Sequence, residues 1–212
     1  MRGNTLLCFF LLPFLCINHN ANVFPTNGYL LGNECSMLLL LKNNLIFNPT
    51  ISKKLTLWNQ NEDCCQWNGV TCKEGRVVAL DLSEESISGR LLNSTVLFGL
   101  QYLQSLNLAF NNFSSVIPSE LCKLNNLRYL NFSNAGFEGQ IPNEMFHLRR
   151  LVILDLSSSI SSPHTLKLDK PNIAMLLQNL TKITELYLDG ITIPAKGQEW
   201  FHALSSLHNL VF

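Results

Sequence analysis

The chain has 212 residues, and its 15 Lys and Arg balance 15 Asp and Glu, so no net charge draws it toward a polyanion such as nucleic acid. Charged residues make up 14% and apolar residues 47%, which excludes a disordered acidic tail or a basic arm and demands a buried core. Leu fills 41 positions and Asn 24, an imbalance that a Leu- and Asn-using repeat produces and ordinary globular usage does not.

Arg2 precedes an apolar stretch from Leu6 to Ile17, after which Asn18, His19, Asn20 and Asn22 make the chain polar. Twelve residues are too few for a spanning helix, which takes about 20, so residues 1–22 are expected to be a secretory signal peptide, cut between Ile17 and Phe24.

Residues 23–75 are expected to form an N-terminal cap. Asn33-Glu34-Cys35-Ser36 can start a helix that places Leu38, Leu41 and Leu45 on one side. Val70 to Val78 reads as a hairpin turning at Gly75, with Trp58 and Trp67 as the large apolar parts of the lid. Cys8 and Cys16 leave with the signal, and in an oxidising lumen Cys35, Cys64, Cys65 and Cys72 should pair. A bond between adjacent Cys64 and Cys65 has poor geometry, so Cys35 pairs with one of them and Cys72 with the other. Cys122 is left over, as a small buried residue or a thiol free to join a second molecule.

From residue 76 the chain repeats. Leu80, Leu106, Leu130, Leu154 and Leu186 sit in equivalent LxL contexts spaced 26, 24, 24 and 32 apart, which matches leucine-rich repeats with one insertion. Each LxL reads as a short strand with its leucines inward and their neighbours in solvent. Asn111 stands where a buried amide satisfies turn backbone, while its counterpart in the next repeat is Ala135. Ile117-Pro118 and Ile141-Pro142 should close their coils on the side away from the strands. Residues 76–212 thus hold about five repeats, with Asn209 to Phe212 opening a sixth. The expected fold class is an α/β repeat solenoid: a right-handed leucine-rich-repeat superhelix of short parallel strands behind a disulfide-bonded cap of helix plus hairpin. An end formed around Ile183, Leu186, Leu188, Leu204 and Leu210 would lack a covering coil, so the chain reads as a truncated product.

Sequons stand at Asn93, Asn112, Asn131 and Asn179, and a secreted chain exposes all four to glycosylation. The five His, at 19, 147, 164, 202 and 208, form no HExxH or comparable ligand pair, and GxGxxG, GxxxxGK and GxSxG are absent from the sequence, so neither catalysis, cofactor nor metal is expected. The repeat instead offers an open strand face of Asp81, Ser83 and Glu84; Asn107, Ala109 and Phe110; Asn131, Ser133 and Asn134; Asp155, Ser157 and Ser158; and Tyr187, Asp189 and Gly190. Phe110 and Tyr187 are aromatic where the fold does not require it, which suits an extracellular peptide, protein or glycan ligand. The extra residues before Leu186, with Pro163 and Pro171, are either an interaction loop or a tolerated insertion.

Cys64-Cys65-Gln66-Trp67-Asn68-Gly69-Val70-Thr71-Cys72 resembles the C-C-x-W-x-G-V-x-C signature of the plant-type cap of leucine-rich-repeat proteins. Tyr129 to Pro142 resembles the plant extracellular 24-residue repeat, L-x-x-L-x-L-S-x-N-x-F-x-G-x-I-P. Asp169-Lys170-Pro171-Asn172, Gln178-Asn179-Leu180-Thr181, Glu185 to Gly190 and Gly197-Gln198-Glu199-Trp200 are similar to plant receptor-like proteins of the Verticillium-wilt-resistance type. That resemblance implies a kinase-less cell-surface receptor with a repeat ectodomain, one transmembrane helix and a short tail, signalling through co-receptor kinases in pathogen defence. It also implies the pairing Cys35 to Cys64 and Cys65 to Cys72. The expected setting is the secretory pathway and then the outer side of the cell membrane. The alternative is a soluble apoplastic inhibitor or decoy resembling the polygalacturonase inhibitors.

Overall fold

Alternation of inward leucines with outward polar residues sets up a ladder that the structure, a computed structural model, shows strand by strand. It describes residues 30–91, 96–159, 165–169 and 173–194, with side chains from Glu34 onward. Helix α1 covers Leu30–Asn44 and β1 Ile46–Phe47; β2 (Val70–Lys73) and β3 (Arg76–Asp81) form a hairpin, and β4 is Ile87–Ser88. The repeats add β5 (Ser105–Asn107), β6 (Tyr129–Asn131), β7 (Gly139–Gln140), β8 (Ile153–Asp155), β9 (Leu166–Lys167), α2 (Ile173–Asn179) and β10 (Glu185–Tyr187).

The main sheet runs β10-β8-β6-β5-β3-β2, parallel from β3 to β10, with β2 antiparallel at its cap end. Leu80, Leu106, Leu130, Leu154 and Leu186 pair in one row, so the sequence register is the sheet register. The first four are at most 1% exposed, whereas Leu186 in the last described strand is half-buried. A smaller set of pairings, β7 with β9 and single bridges at Ser88–Asn112, Ser115–Phe137 and Lys167–Thr192, links the coils on a second side. Between the two, Phe113 and Phe137 stack with ring centroids 4.9 Å apart. Ile117 and Ile141 are buried, and Pro118 and Pro142 start the 3-10 turns Ser119–Lys123 and Asn143–His147. Proline's fixed φ suits that place, since the chain there needs no ladder donor.

The long fourth interval is absorbed by its coil. From Leu154 to Leu166 is 12 residues where the register-equivalent Leu130 to Gly139 is 9, and from Lys167 to Ile173 is 6 where Gln140 to Asn143 is 3. The turn of five residues, Asn143–His147, becomes the seven-residue helix α2, which buries Ile173, Leu176 and Leu177.

The cap is joined to the first coil by two buried carboxylates. Glu34 on α1 accepts from the Val77 amide at 2.6 Å and faces Arg76 Nη1 at 3.6 Å. Glu85 is 1% exposed and accepts from the amides of Lys53, Lys54 and Leu55 and from the Ser52 hydroxyl. The disulfides are Cys35–Cys64 and Cys65–Cys72, with Cα atoms 5.2 and 5.5 Å apart. They tie α1 to the Cys64–Gln66 turn and that turn to β2. Trp58 and Trp67 stack at 5.1 Å between centroids inside this lid. Gly69 is fixed by space as well as by its φ of +87°, because a Cβ there would stand 2.3 Å from the Asp81 carbonyl oxygen.

Two expectations need correction. Helix α1 begins at Leu30, so Asn33 lies within it; Leu30 and Leu31 favour helix more than Asn33 favours a start. Leu45 follows the helix as the residue that closes it, its amide bonding back to the Leu41 carbonyl. Cys122 is buried, as expected of a small residue. The signal segment 1–22, Asn93 and the opening of a sixth repeat also lie outside the described residues.

Candidate ligand-recognition face

Two rows of side chains stand on the open side of the main sheet. The pairing Asp81–Asn107–Asn131–Asp155–Tyr187 forms one row and Ala79–Ser105–Tyr129–Ile153–Glu185 the other. Sequence reasoning named the first row and missed the second, although period-two alternation on either side of the central leucine marks both.

The first row is less free than its position suggests. Asp81, Asn107, Asn131 and Asp155 each accept a bond from the amide two residues on, of Ser83, Ala109, Ser133 and Ser157, at 2.8 to 3.1 Å. The short Asx side chain thereby caps the turn in which the strand ends, which explains why Asp or Asn recurs here. The Ser83 and Ser157 hydroxyls add bonds of 2.6 Å to Asp81 and Asp155. The Asn131 amide also donates to the Tyr129 hydroxyl at 3.0 Å. Ser133 and Ala109 are buried, with 6% and 2% exposure, and so leave the expected face: the chain bends inward just after each strand.

What remains open is Glu84, Phe110, Tyr187 and Asp189, with Tyr129 and Glu185 half-exposed beside them. Glu84, Phe110 and Asn134 hold the same place in three successive repeats and share a left-handed backbone, with φ of 60°, 55° and 50°. Asn tolerates that region, whereas a bulky aromatic there is uncommon and costs about 1 kcal/mol or more. Phe110 nevertheless projects at 58% exposure. With Ile46, Phe47 and Ile87 it lines a shallow concavity of about 520 Å³ where the cap meets the repeats.

Electrostatics differ between the two ends of the face. Burial opposes ionisation of Asp81, but the Ser83 hydroxyl and amide and the Lys54 ammonium, 2.9 Å away, outweigh it and hold the carboxyl below its ordinary range. At the far end Tyr187 donates to Glu185 Oε2 at 3.0 Å, and that bond and charge raise the phenol above its usual value.

The sequons sit differently. Asn112 is exposed beside the second row of pairings, Asn131 is half-buried with its amide engaged in the sheet, and Asn179 ends α2 with its amide on the Met175 carbonyl at 2.8 Å. Cys35, Asp63 and Cys64 lie close together, but the disulfide consumes both sulfurs and leaves no thiolate for a metal. Among the described residues no helix is long and apolar enough to cross a membrane.

Stacked coils with an in-register leucine row and a cap closed by two disulfides define a leucine-rich-repeat protein. Residues 31–73 match the family model described as "Leucine rich repeat N-terminal domain", and residues 102–124 and 126–148 match "Leucine Rich Repeat". The chain is a leucine-rich-repeat protein homologous to the plant receptor-like proteins. It is 41% identical to Receptor-like protein 7 of Arabidopsis thaliana over 203 residues, covering 92% of this chain and 20% of that one. Receptor-like protein Cf-9 of Solanum pimpinellifolium is 35% identical over 203 residues, 76% of this chain and 20% of the relative. The chain spans about a fifth of the length of these relatives. Among solved structures, the ectodomain of the Arabidopsis thaliana receptor kinase SOBIR1 aligns with a TM-score of 0.63 at 25% identity, covering 85% of this chain and 89% of that one. A plant ice-binding protein aligns with a TM-score of 0.63 at 29% identity, covering 76% and 49%. A chain of the Arabidopsis thaliana BIR3–SERK2 complex aligns with a TM-score of 0.62 at 29% identity, covering 75% and 82%.

Proposed function

We propose that this chain is the extracellular ligand-recognition portion of a plant cell-surface immune receptor-like protein, which binds without turnover and signals through partner receptor kinases. The observation that carries the reading is Phe110, an exposed aromatic held at positive φ beside the open sheet face. Asn, as at the equivalent Asn134, would hold that turn with less strain, which supports a contact role for the exposed ring. Homology to receptor-like proteins supports the setting, the outer side of the cell membrane reached through the secretory pathway. Structural neighbours that hold a peptide, such as the GASSHO1/SCHENGEN3 ectodomain with CASPARIAN STRIP INTEGRITY FACTOR 2, and the BIR3–SERK2 pair support an extracellular peptide or protein ligand and a kinase co-receptor.

The test is hydrogen exchange on the secreted chain with and without fractionated apoplastic fluid from infected leaves. Ligand-dependent protection of segments holding Phe110 and Tyr187 is expected. Protection confined to the turns at 119–123 and 143–147, or none in any fraction, overturns the reading.

A further inference from the structure

The pairing that aligns the leucines also gathers cations that the linear sequence scatters. Asn126, Arg150 and Lys182 each stand four residues before Leu130, Leu154 and Leu186, which pair in register. Gln104 and Arg128 each stand two residues before Leu106 and Leu130, and the Arg128 amide bonds the Gln104 carbonyl at 2.8 Å. In the following coil that inner place is taken by Val152, whose amide bonds the Arg128 carbonyl at 2.7 Å, so the cation stands two residues outward at Arg150. The side chains of Gln104, Asn126, Arg128, Arg150 and Lys182 together line a concavity of about 330 Å³ where the strands begin.

Three of these five are cationic and none is acidic. Among the described residues, Arg128, Arg150 and Lys182 form no ion pair; the pairs there are Lys54–Asp81 and Arg76–Glu34. Arg150 is instead held by Asn126 Oδ1, while Asn126 Nδ2 donates to the Gln101 carbonyl at 2.7 Å. One guanidinium is therefore oriented in advance, which lowers the entropy lost on binding. Three like charges around one concavity repel one another and focus a positive potential, in a chain whose total charge is zero.

We infer that this cleft binds the carboxylates of an acidic peptide segment, resting on the reading that the adjoining sheet face is the recognition surface. The planar fork of Arg matches a carboxylate bidentately, and two of the three cations are Arg. A sugar acid would carry the same charge but offers a ring that seeks an aromatic plate. Tyr102, four residues before Leu106 and so in the same edge row, does not line the cleft, and one face of its ring is taken by the Arg76 guanidinium at 4.6 Å from its centroid. The lining is otherwise polar, so the peptide is the better fit.

The experiment measures binding of hexaglutamate to the secreted chain by calorimetry, with trigalacturonate as the sugar-acid arm. The triple variant R128E/R150E/K182E is compared with K73E/R90E/K123E, which reverses three exposed cations elsewhere and changes net charge equally. We expect saturable hexaglutamate binding that weakens with salt and falls about tenfold or more in the cleft variant but less than about twofold in the control, since each exposed pair contributes a few-fold. R128Q/R150Q, which removes charge without reversing it, should fall between. No hexaglutamate binding by the parent, equal losses in both triple variants, or tighter binding of trigalacturonate than of hexaglutamate overturns the proposal. Each of those results concerns the cleft alone, whereas the exchange experiment on Phe110 and Tyr187 decides the broader reading.

Discussion

Glu85 occupies, in the first coil, the place that Asn111 holds in the second, three residues after Leu82 as Asn111 is after Leu108. Asn111 Oδ1 accepts from the Ile87 amide at 2.9 Å and Nδ2 donates to the Leu82 carbonyl at 2.8 Å, the coil-to-coil link expected of a repeat amide. Before the first coil there is no preceding repeat, only the cap, and its 53–55 backbone offers amides rather than carbonyls. A carboxylate, with acceptors alone, fits that partner. Replacing Glu85 with Ala strands the Leu55 amide and the Ser52 hydroxyl, both on buried residues, while the more exposed Lys53 and Lys54 amides recover water. Two lost bonds to a charged acceptor at about 1.5 to 3 kcal/mol each give a destabilisation of roughly 3 to 6 kcal/mol. For a chain of this size that lowers the melting temperature by on the order of 10 °C. Thermal unfolding followed by circular dichroism measures it, and Glu85→Gln, which keeps one acceptor oxygen, should lie between. An Ala variant within about 0.5 kcal/mol of the parent, or Gln and Ala variants that coincide, would refute the reasoning.

Gly69→Ala should destabilise by about 2 kcal/mol or more and lower secretion yield, because the new Cβ meets the Asp81 carbonyl oxygen and the left-handed backbone strains; parent-like melting would contradict this. Asp81, with its folded carboxyl below the ordinary range, contributes stability that is present at neutral pH and lost as pH falls from that range through the lowered value. Lys54→Met should move the Asp81 titration upward in an NMR experiment, and an unmoved titration would show that the ammonium is not a cause. Glycopeptide mapping should find Asn112 more fully occupied than Asn131, since both amide atoms of Asn131 are engaged by Ser133 and Tyr129; the reverse order would show that the sheet face carries the glycan.

The leucine register was legible because burial of one row is a strong, periodic constraint, and Leu80 to Leu186 pair as their spacing implies. The hairpin at Gly75 was legible for a similarly local reason, since Glu74 and Gly75 both adopt the positive φ that a two-residue turn demands. The disulfide pairing was not settled by spacing alone. The resemblance to the plant-type cap supplied the pairs Cys35–Cys64 and Cys65–Cys72 that the structure shows. The face was legible in outline only. Whether Asp81, Asn107, Asn131 and Asp155 point a side chain at a ligand or fold it back onto their own turn depends on the φ and ψ of the next two residues, which composition does not reveal. Ser133 is buried for the same reason. The cation cleft escaped notice because Arg150 and Lys182 are 32 residues apart across the long interval, and only strand pairing brings them to one edge. Glu85 was hidden by its residue type, since a charged side chain three residues after a core leucine reads as solvent-facing until the cap amides around it are seen.

The most direct test of recognition by the open sheet face is a paired measurement on Phe110→Asn. Asn accepts the left-handed backbone that Phe110 holds at φ 55°, so the variant should melt at or slightly above the parent temperature, a gain of about 0.5 to 1 kcal/mol. Its binding of the apoplastic fraction that protects the parent face should fall about tenfold or more, the loss expected when a central exposed aromatic is removed from an interface. Stability retained with binding lost is the result we expect; binding retained at the parent level would contradict the assignment of this face as the recognition surface.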